Sequence, residues 1–398
     1  MKYETIKIAD LISEISMGPF GSNIKVECFV DEGIPVLNGS NLDGFVLKED
    51  SFRYVTEEKA DSLGKANAHR GDVVITHRGT LGQIVFIPEN SLYDRYVISQ
   101  SQFRVRCNEK ILPEYLVYYF HTRIGQHKLL SNASQVGVPA LARASTTFQT
   151  IEIDVPDLES QRKIVDLLET IRRKVEVNTA INENLFKQLF TLYEDTYSSL
   201  TYDEVELGSL CHFQEGYVNP AQTHPEYFDG NVKWLRAVDI NESFIIETSR
   251  TLTQTGFKSA KKSALLFSPN TIAISKSGTI GRLGIVADYM CGNRAVINIE
   301  PNDPSLLPFI YAYLKSRQNE FPDLAVGSVQ KNLYISLLEP LIVRIPSSDA
   351  LSKFCDAGNA ILRIIENNCL EATRLGQLRD VLLPRLMSGE LDVSDLDL

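Results

Sequence analysis

Two stretches of this 398-residue chain carry the same apolar stripe at helical spacing, and both stripes must be buried. The first runs from Asp157 to Ser199 with no proline or glycine. Its apolar residues Ile164, Leu168, Ile171, Val175, Leu185, Leu189 and Leu192 recur in steps compatible with one helix face. Asp157 follows Pro156 and precedes acidic Glu159, which suits a helix start. At 1.5 Å per residue the helix reaches roughly 60 Å, more than one small domain needs. The second stretch opens Ile345-Pro346-Ser347-Ser348-Asp349 and continues through Phe354, Ile361, Ile365, Asn368, Leu375 and Leu382. Pro384 is expected to end it near Leu383. The simplest partner for each stripe is the other, so the two helices are predicted to pack as a coiled coil within one chain. Asn178 and Asn182 fall on the first stripe, and Asn368 lies nearly as deep in the second as Asn178 in the first. Buried, such residues weaken packing but fix register; alternatively the helix bends there and they face water.

The remainder of the chain repeats as well. Tyr3–Leu11 resembles Tyr202–Leu210, each an alternating strand followed by a glycine-bearing loop: Met17-Gly18-Pro19-Phe20-Gly21-Ser22-Asn23 and Gln214-Glu215-Gly216-Tyr217-Val218-Asn219-Pro220. Next, Ile34–Leu42 and Val232–Ile240 pair β-prone runs with polar turns. The sharpest match is Gly71–Val85 against Pro269–Val286, each read as strand, Gly-Thr-x-Gly turn, strand. Arg78 and Lys276 stand just before the two turns. Strand-like Tyr96–Gln100 and Asn293–Ile297 follow, then short helices at Pro113–Lys128 and Pro308–Glu320. The predicted fold class is α+β: two pseudo-repeated β-rich domains, at 1–156 and 200–346, separated by long helices at 157–199 and 347–388, with an acidic tail at 389–398.

Composition narrows the function. The chain is 43% hydrophobic and 23% charged, as in soluble globular proteins. No segment approaches the ~20 apolar residues of a membrane span, and the start does not read as a signal peptide. Six scattered cysteines without a Cys-x-x-Cys pair suit a reduced, cytoplasmic protein. The net charge of −11 argues, taken alone, against nucleic-acid binding. Bases nevertheless cluster: six Lys and Arg against three acids from Lys65 to Arg106, and nine against four from Lys233 to Arg294.

Catalytic patterns are mostly missing. The sequence has no phosphate loop, dinucleotide turn, nucleophile elbow or metal-spaced histidines. Arg78, Arg95, Arg104 and Arg106 surround one hairpin; Lys258, Lys261, Lys262, Lys276, Arg282 and Arg294 surround the other. Arginine can grip guanine edges, and lysine can serve phosphate. Asn38, Ser40, Asn41, Gln100 and Gln102 could read adenine edges, and His77 is expected to be exposed and polar. The candidate contact set is Ser22, Asn23, Lys25, Asn38, Ser40, Asn41, His77, Arg78, Thr80 and Gln100 in the first half. In the second half it is Tyr217, Trp234, Arg236, Lys276, Ser277, Thr279 and Arg294. The same residues would also suit a tight turn and a solvated face. A protein- or carbohydrate-binding adaptor and a hydrolase with a dispersed site are the competing classes.

Four segments carry a family resemblance: Gly18–Asn23, Ile274–Arg282, Pro156–Ile164 and Leu383–Leu391. Their order, duplicated on two long helices, resembles the specificity subunits of type I restriction–modification systems across nearly the whole chain. The second helix departs at its start, where Ser347–Lys353 lacks the Glu-x-Gln-Arg-Lys run of the first. The resemblance implies two target-recognition domains, each reading half of a split double-stranded DNA sequence. It also implies an antiparallel helix pair that sets their separation, with the halves inverted about a pseudo-two-fold axis. It implies a subunit that is not catalytic and binds no cofactor directly. The expected partners are two methyltransferase subunits carrying S-adenosylmethionine, and restriction–translocase subunits carrying ATP and Mg.

Overall fold

The computed structural model describes residues 2–134, 138–196, 202–328 and 330–394. The expected last residues of the first long helix, 197–199, and of the acidic tail, 395–398, lie outside the described residues. The chain divides into two units: residues 1–173 with 376–398, and residues 174–375.

In unit 1, strand Tyr3–Lys7 pairs antiparallel with Glu152–Pro156. A four-stranded sheet runs in the order 12–17, 102–107, 72–76, 84–86. Strand 72–76 carries the unbroken apolar run Val73-Val74-Ile75 because both of its faces are covered, whereas strand 102–107 alternates polar and apolar residues. Val73, Ile75, Phe103 and Val105 pack with helix Pro113–His121. Val74 and Val85 point the other way, into a cluster with Leu37, Tyr96 and Ile98. A five-stranded sheet of short strands, 29–30, 53–55, 34–36, 95–97 and 67–69, completes the unit's main sheets.

Unit 2 repeats this plan. Tyr202–Glu206 pairs antiparallel with Ile342–Pro346. The main sheet has the order 211–215, 296–301, 271–275, 283–286, with Phe244–Ile245 added at its edge. Ile272 and Ile274 pack with helix Leu307–Ser316 on one face, and Ala273, Val286 and Val296 pack on the other.

The first long helix spans Leu158–Thr196. Asp157 caps it, accepting from Ser160 N at 2.9 Å and Ser160 Oγ at 3.0 Å. These bonds hold the Asp157 carboxyl below the usual carboxylate range. The second helix spans Ser348–Met387 and passes through Pro384, which corrects the expected end near Leu383. Pro384 lies exposed in the last turn, so its missing N–H costs a single bond at the helix surface. The end comes after Met387, where Ser388 N donates to Pro384 O and Gly389 adopts φ +75°.

The two stripes meet within each unit. In unit 1, Ile164, Val165 and Leu168 share a core with Leu383, Leu386 and Met387. In unit 2, Asn178 Nδ2 donates to Glu371 Oε2 at 2.8 Å, and Asn368 Nδ2 donates to Asn182 Oδ1 at 2.8 Å. Further along, the Tyr193 ring lies 6.0 Å from that of Phe354. Numbers rise on one helix as they fall on the other, so the helices pair antiparallel. Asn178 and Asn182 are buried in this seam, which decides between the two readings of those residues.

Gln161 fastens the first long helix to its domain. It is fully buried; its Oε1 accepts from Leu112 N at 2.9 Å, and its Nε2 donates to the carbonyls of Lys110 and Pro156, each at 2.9 Å. The Glu-x-Gln-Arg-Lys run thus has a structural reason for its glutamine. Counting from Pro156 and Pro346, the second helix has Leu351 at that place.

Candidate nucleic-acid interface

The same backbone frame holds both Gly-Thr-x-Gly turns. His77 N donates to Ser101 O at 2.9 Å, and Lys276 N donates to Ala295 O at 2.7 Å. The carbonyls of the same two residues accept from Leu141 N at 2.8 Å and Leu333 N at 3.0 Å. Gln126 Nε2 donates to Gly82 O at 2.8 Å, and Gln318 Nε2 to Gly281 O at 2.9 Å. The turn glycines all take positive φ: Gly79 +92°, Gly82 +89°, Gly278 +77° and Gly281 +87°. The structural counterpart of Lys276 is therefore His77, and Arg78 corresponds to Ser277. Arg78 stands one residue before its turn and Lys276 two residues before, so the two bases do not occupy equivalent positions.

The preceding loops repeat too. Gly18 N donates to Gln102 O at 2.8 Å, and Gly216 N to Val296 O at 2.9 Å. A Cβ on Gly18 would lie 1.9 Å from Ser99 O, and one on Gly216 would lie 2.2 Å from Asn293 O. Only glycine lets the loop approach the sheet this closely. Each loop is thereby held beside its turn.

In unit 1 the glycine loop, the segment 62–66 and the residues just before the turn line a cleft of about 600 Å³. Asn23, His77, Arg78 and Gln100 of the candidate set line it, with Met17, Phe20, Ser62 and Lys65. His77 is half-buried rather than exposed, because its Nε2 turns in to lie 3.1 Å from Gln100 O. That carbonyl accepts from the ring, so Nε2 carries the proton. Burial pushes the imidazole pKa down, and Arg78 adds to the effect. Arg78, Thr80 and Gln100 are exposed, and Phe20 is 83% exposed. The cleft thus joins a guanidinium, two amides and bare aromatic surface, a mixture suited to base edges and phosphate. Lys25 is exposed outside the cleft lining, 4.0 Å from Glu27. The Ser22 side chain lies outside those described.

Other candidates serve the fold. Asn41 is fully buried; its Nδ2 donates to the carbonyls of Lys48 and Asp50, and its Oδ1 accepts from Asn38 N. Asn38 Oδ1 in turn accepts from Ser40 N at 2.8 Å and Ser40 Oγ at 2.6 Å. Ser40 remains exposed on this loop. Gln102 is 1% exposed and donates to Asn38 O. Asn41 and Gln102 are interior residues, not base readers. Arg104 and Arg106 are also occupied, because both reach the fully buried Asp72, and Arg104 additionally reaches Glu14. Arg95 pairs with Asp61 at 2.6 Å.

In unit 2, Tyr217, Thr279 and Arg294 are exposed, and Ser277 is half-buried. Trp234 is 5% exposed and donates from Nε1 to Val218 O at 2.8 Å, so it is a core residue rather than a stacking platform. Arg236 lies 5.6 Å from the Trp234 ring and donates to Ser249 Oγ at 2.5 Å. Lys276 Nζ donates to Glu215 Oε1 at 2.8 Å and stands 4.7 Å from the Tyr334 ring centroid. Hydrogen bonding to Glu215 also raises the pKa of the Tyr217 phenol. Glu215 and Tyr334 escape the sequence reading. A lone Glu before a loop glycine carries no local signal, and Tyr334 reaches Lys276 from a distant segment.

Among the described residues, no group of three or more His, Cys, Asp or Glu converges as a metal site. No described helix is long and apolar enough to cross a membrane.

Comparison with known proteins places this geometry. The family model for the type I restriction modification DNA specificity domain matches residues 2–187 and again 200–368. The chain is 24% identical to the MjaIX type I restriction enzyme specificity subunit of Methanocaldococcus jannaschii, over 99% of this chain and 94% of that protein. It is 22% identical to the HindI specificity subunit of Haemophilus influenzae, over 81% of this chain and 87% of that protein. In fold it is similar to the crystal structure of the type I S subunit from M. genitalium, with a TM-score of 0.59 and 15% identity over 97% of this chain and 96% of that one. With the domain matched twice and the helix pair in place, the chain belongs to the family of type I restriction–modification specificity subunits, which recognise DNA and are not catalytic.

Proposed function

We propose that this chain reads a bipartite DNA target, one half through residues 1–156 and the other through residues 200–346, while scaffolding the modification and restriction subunits of its complex. The observation that carries the reading is the duplicated frame: one glycine loop and one Gly-Thr-x-Gly turn, held by matching backbone bonds in each unit. Two copies of one reader on one chain suit two half-sites. Asn23, His77, Arg78 and Gln100 are the contacts assigned to the first half; Tyr217, Lys276, Ser277, Thr279 and Arg294 are those assigned to the second. Lys25, Ser40, Thr80 and Arg236 flank them. Two methyltransferase subunits would bring S-adenosylmethionine, and restriction–translocase subunits would bring ATP and Mg. Partner subunits would supply much of the phosphate grip that a chain of net charge −11 lacks.

Fluorescence anisotropy with random duplex DNA, run with and without the methyltransferase partner, tests this. Binding that appears or strengthens in the complex and weakens for Arg78→Ala is the expected result. No duplex binding in either state would favour an adaptor for protein or carbohydrate.

A further inference from the structure

The two units present different chemistry at two equivalent positions. Met17 faces Phe103 in the ladder of unit 1, and Glu215 faces Ile297 in that of unit 2. Each directly precedes its loop glycine, and His77 and Lys276 correspond by backbone bonding. In unit 1, Met17 and His77 both line the cleft. In unit 2 the same two places hold Glu215 and Lys276, ion-paired at 2.8 Å with side chains 16% and 12% exposed.

An ammonium has three protons, and the bond to Glu215 Oε1 uses one. A carboxylate has about four acceptor sites, so the pair still offers a donor beside an acceptor. A carboxylate fixed next to the lysine repels phosphate, so the pair is poorly suited to the DNA backbone. It suits a base-pair edge. In the major groove guanine shows two acceptors, N7 and O6, and the cytosine opposite shows the N4 amino donor.

We propose that Glu215 and Lys276 act together as a specificity determinant for one G·C base pair, Lys276 donating to guanine O6 or N7 and Glu215 accepting from cytosine N4. This rests on the reading of unit 2 as a DNA reader. The Tyr334 ring keeps the ammonium over a fixed point, and Tyr217 steadies the carboxylate.

The test uses the full chain assembled with its methyltransferase partner, acting on a duplex library randomised across the target. Methylated products are sequenced. One variant combines Glu215→Met with Lys276→His, which transplants the unit 1 residues; a second combines Glu215→Gln with Lys276→Gln, which keeps shape and removes charge. Thermal melting by circular dichroism checks that each folds. In both variants, G·C preference at one position should fall by about 5- to 150-fold, with the other half-site unchanged. Preference lost at an A·T position, or at no position, overturns the assignment while the two-reader account stands. Uniformly weaker binding with a salt slope reduced by about one would make Lys276 a phosphate contact and also overturn it. Wild-type complex that methylates without any motif would sink both the assignment and the reading beneath it.

Discussion

Asn368 Nδ2 donates to Asn182 Oδ1 at 2.8 Å in the seam between the two long helices of unit 2. Asn182 is 8% exposed, and its own amide reaches Cys369 Sγ at 3.4 Å. Asn368→Ala leaves a buried amide oxygen without this donor and should cost about 1–3 kcal/mol. Replacing both asparagines by leucine should be neutral or stabilising, yet it loosens register. Urea midpoints of the single and double variants check the sign. A double variant as destabilised as the single one would contradict the account.

Gln161 makes three hydrogen bonds from a fully buried site. Gln161→Leu should destabilise unit 1 by about 1–3 kcal/mol, because Leu112 N–H loses its acceptor. Hydrogen exchange at Leu112 reads this locally. Protection there should fall before protection in strand 72–76 does; unchanged exchange at Leu112 would remove the explanation.

Two charged residues separate fold from function. Asp72 is fully buried between Arg104 and Arg106, so Asp72→Ala should cost about 3–5 kcal/mol by stranding their charge. Arg78 is exposed, so Arg78→Ala should change stability by no more than about 0.5 kcal/mol. The same variant should weaken DNA binding by the complex by about 1–3 kcal/mol. Thermal melts and anisotropy titrations on both variants check the contrast.

Acid should weaken unit 1 through its histidines. Burial lowers the pKa of His121 and of His77 from 6.5. His121 also donates from Nε2 to Ile84 O at 2.9 Å and packs 4.3 Å from the Phe45 ring. The unfolded chain then binds protons that the folded chain refuses. Stability is full above about pH 6.5 and falls as the pH drops from there toward the lowered folded values. His121→Gln should flatten the dependence of Tm between about pH 7.5 and about pH 5.5. An equally steep profile in that variant would count against this source.

The long helices are legible in the sequence because one face of each carries a regular stripe, and Asp157 marks a start with a mechanism. The repeat is legible because Gly-Thr-x-Gly needs its glycines at two φ-positive positions in both units. Pro384 misleads because a proline in a final exposed turn removes little. The interface is less legible, since partners decide whether a polar side chain is available. Arg104 and Arg78 look alike in sequence, yet Asp72 lies buried beside one and the other meets solvent. Asn41 and Gln102 satisfy nearby backbone, and Trp234 is held in a core with its indole N–H on Val218 O. Those contacts span from 7 residues, for Asn41 to Lys48, to 64, for Gln102 to Asn38, and periodicity encodes none of them.

The central claim is that one chain carries two separate readers. Sequencing the methylated positions left by the reconstituted complex tests it most directly, with wild type compared against Arg78→Ala and Lys276→Gln. A split motif is predicted, in which Arg78→Ala degrades only one half and Lys276→Gln only the other. A continuous motif, or both variants degrading the same half, would contradict it.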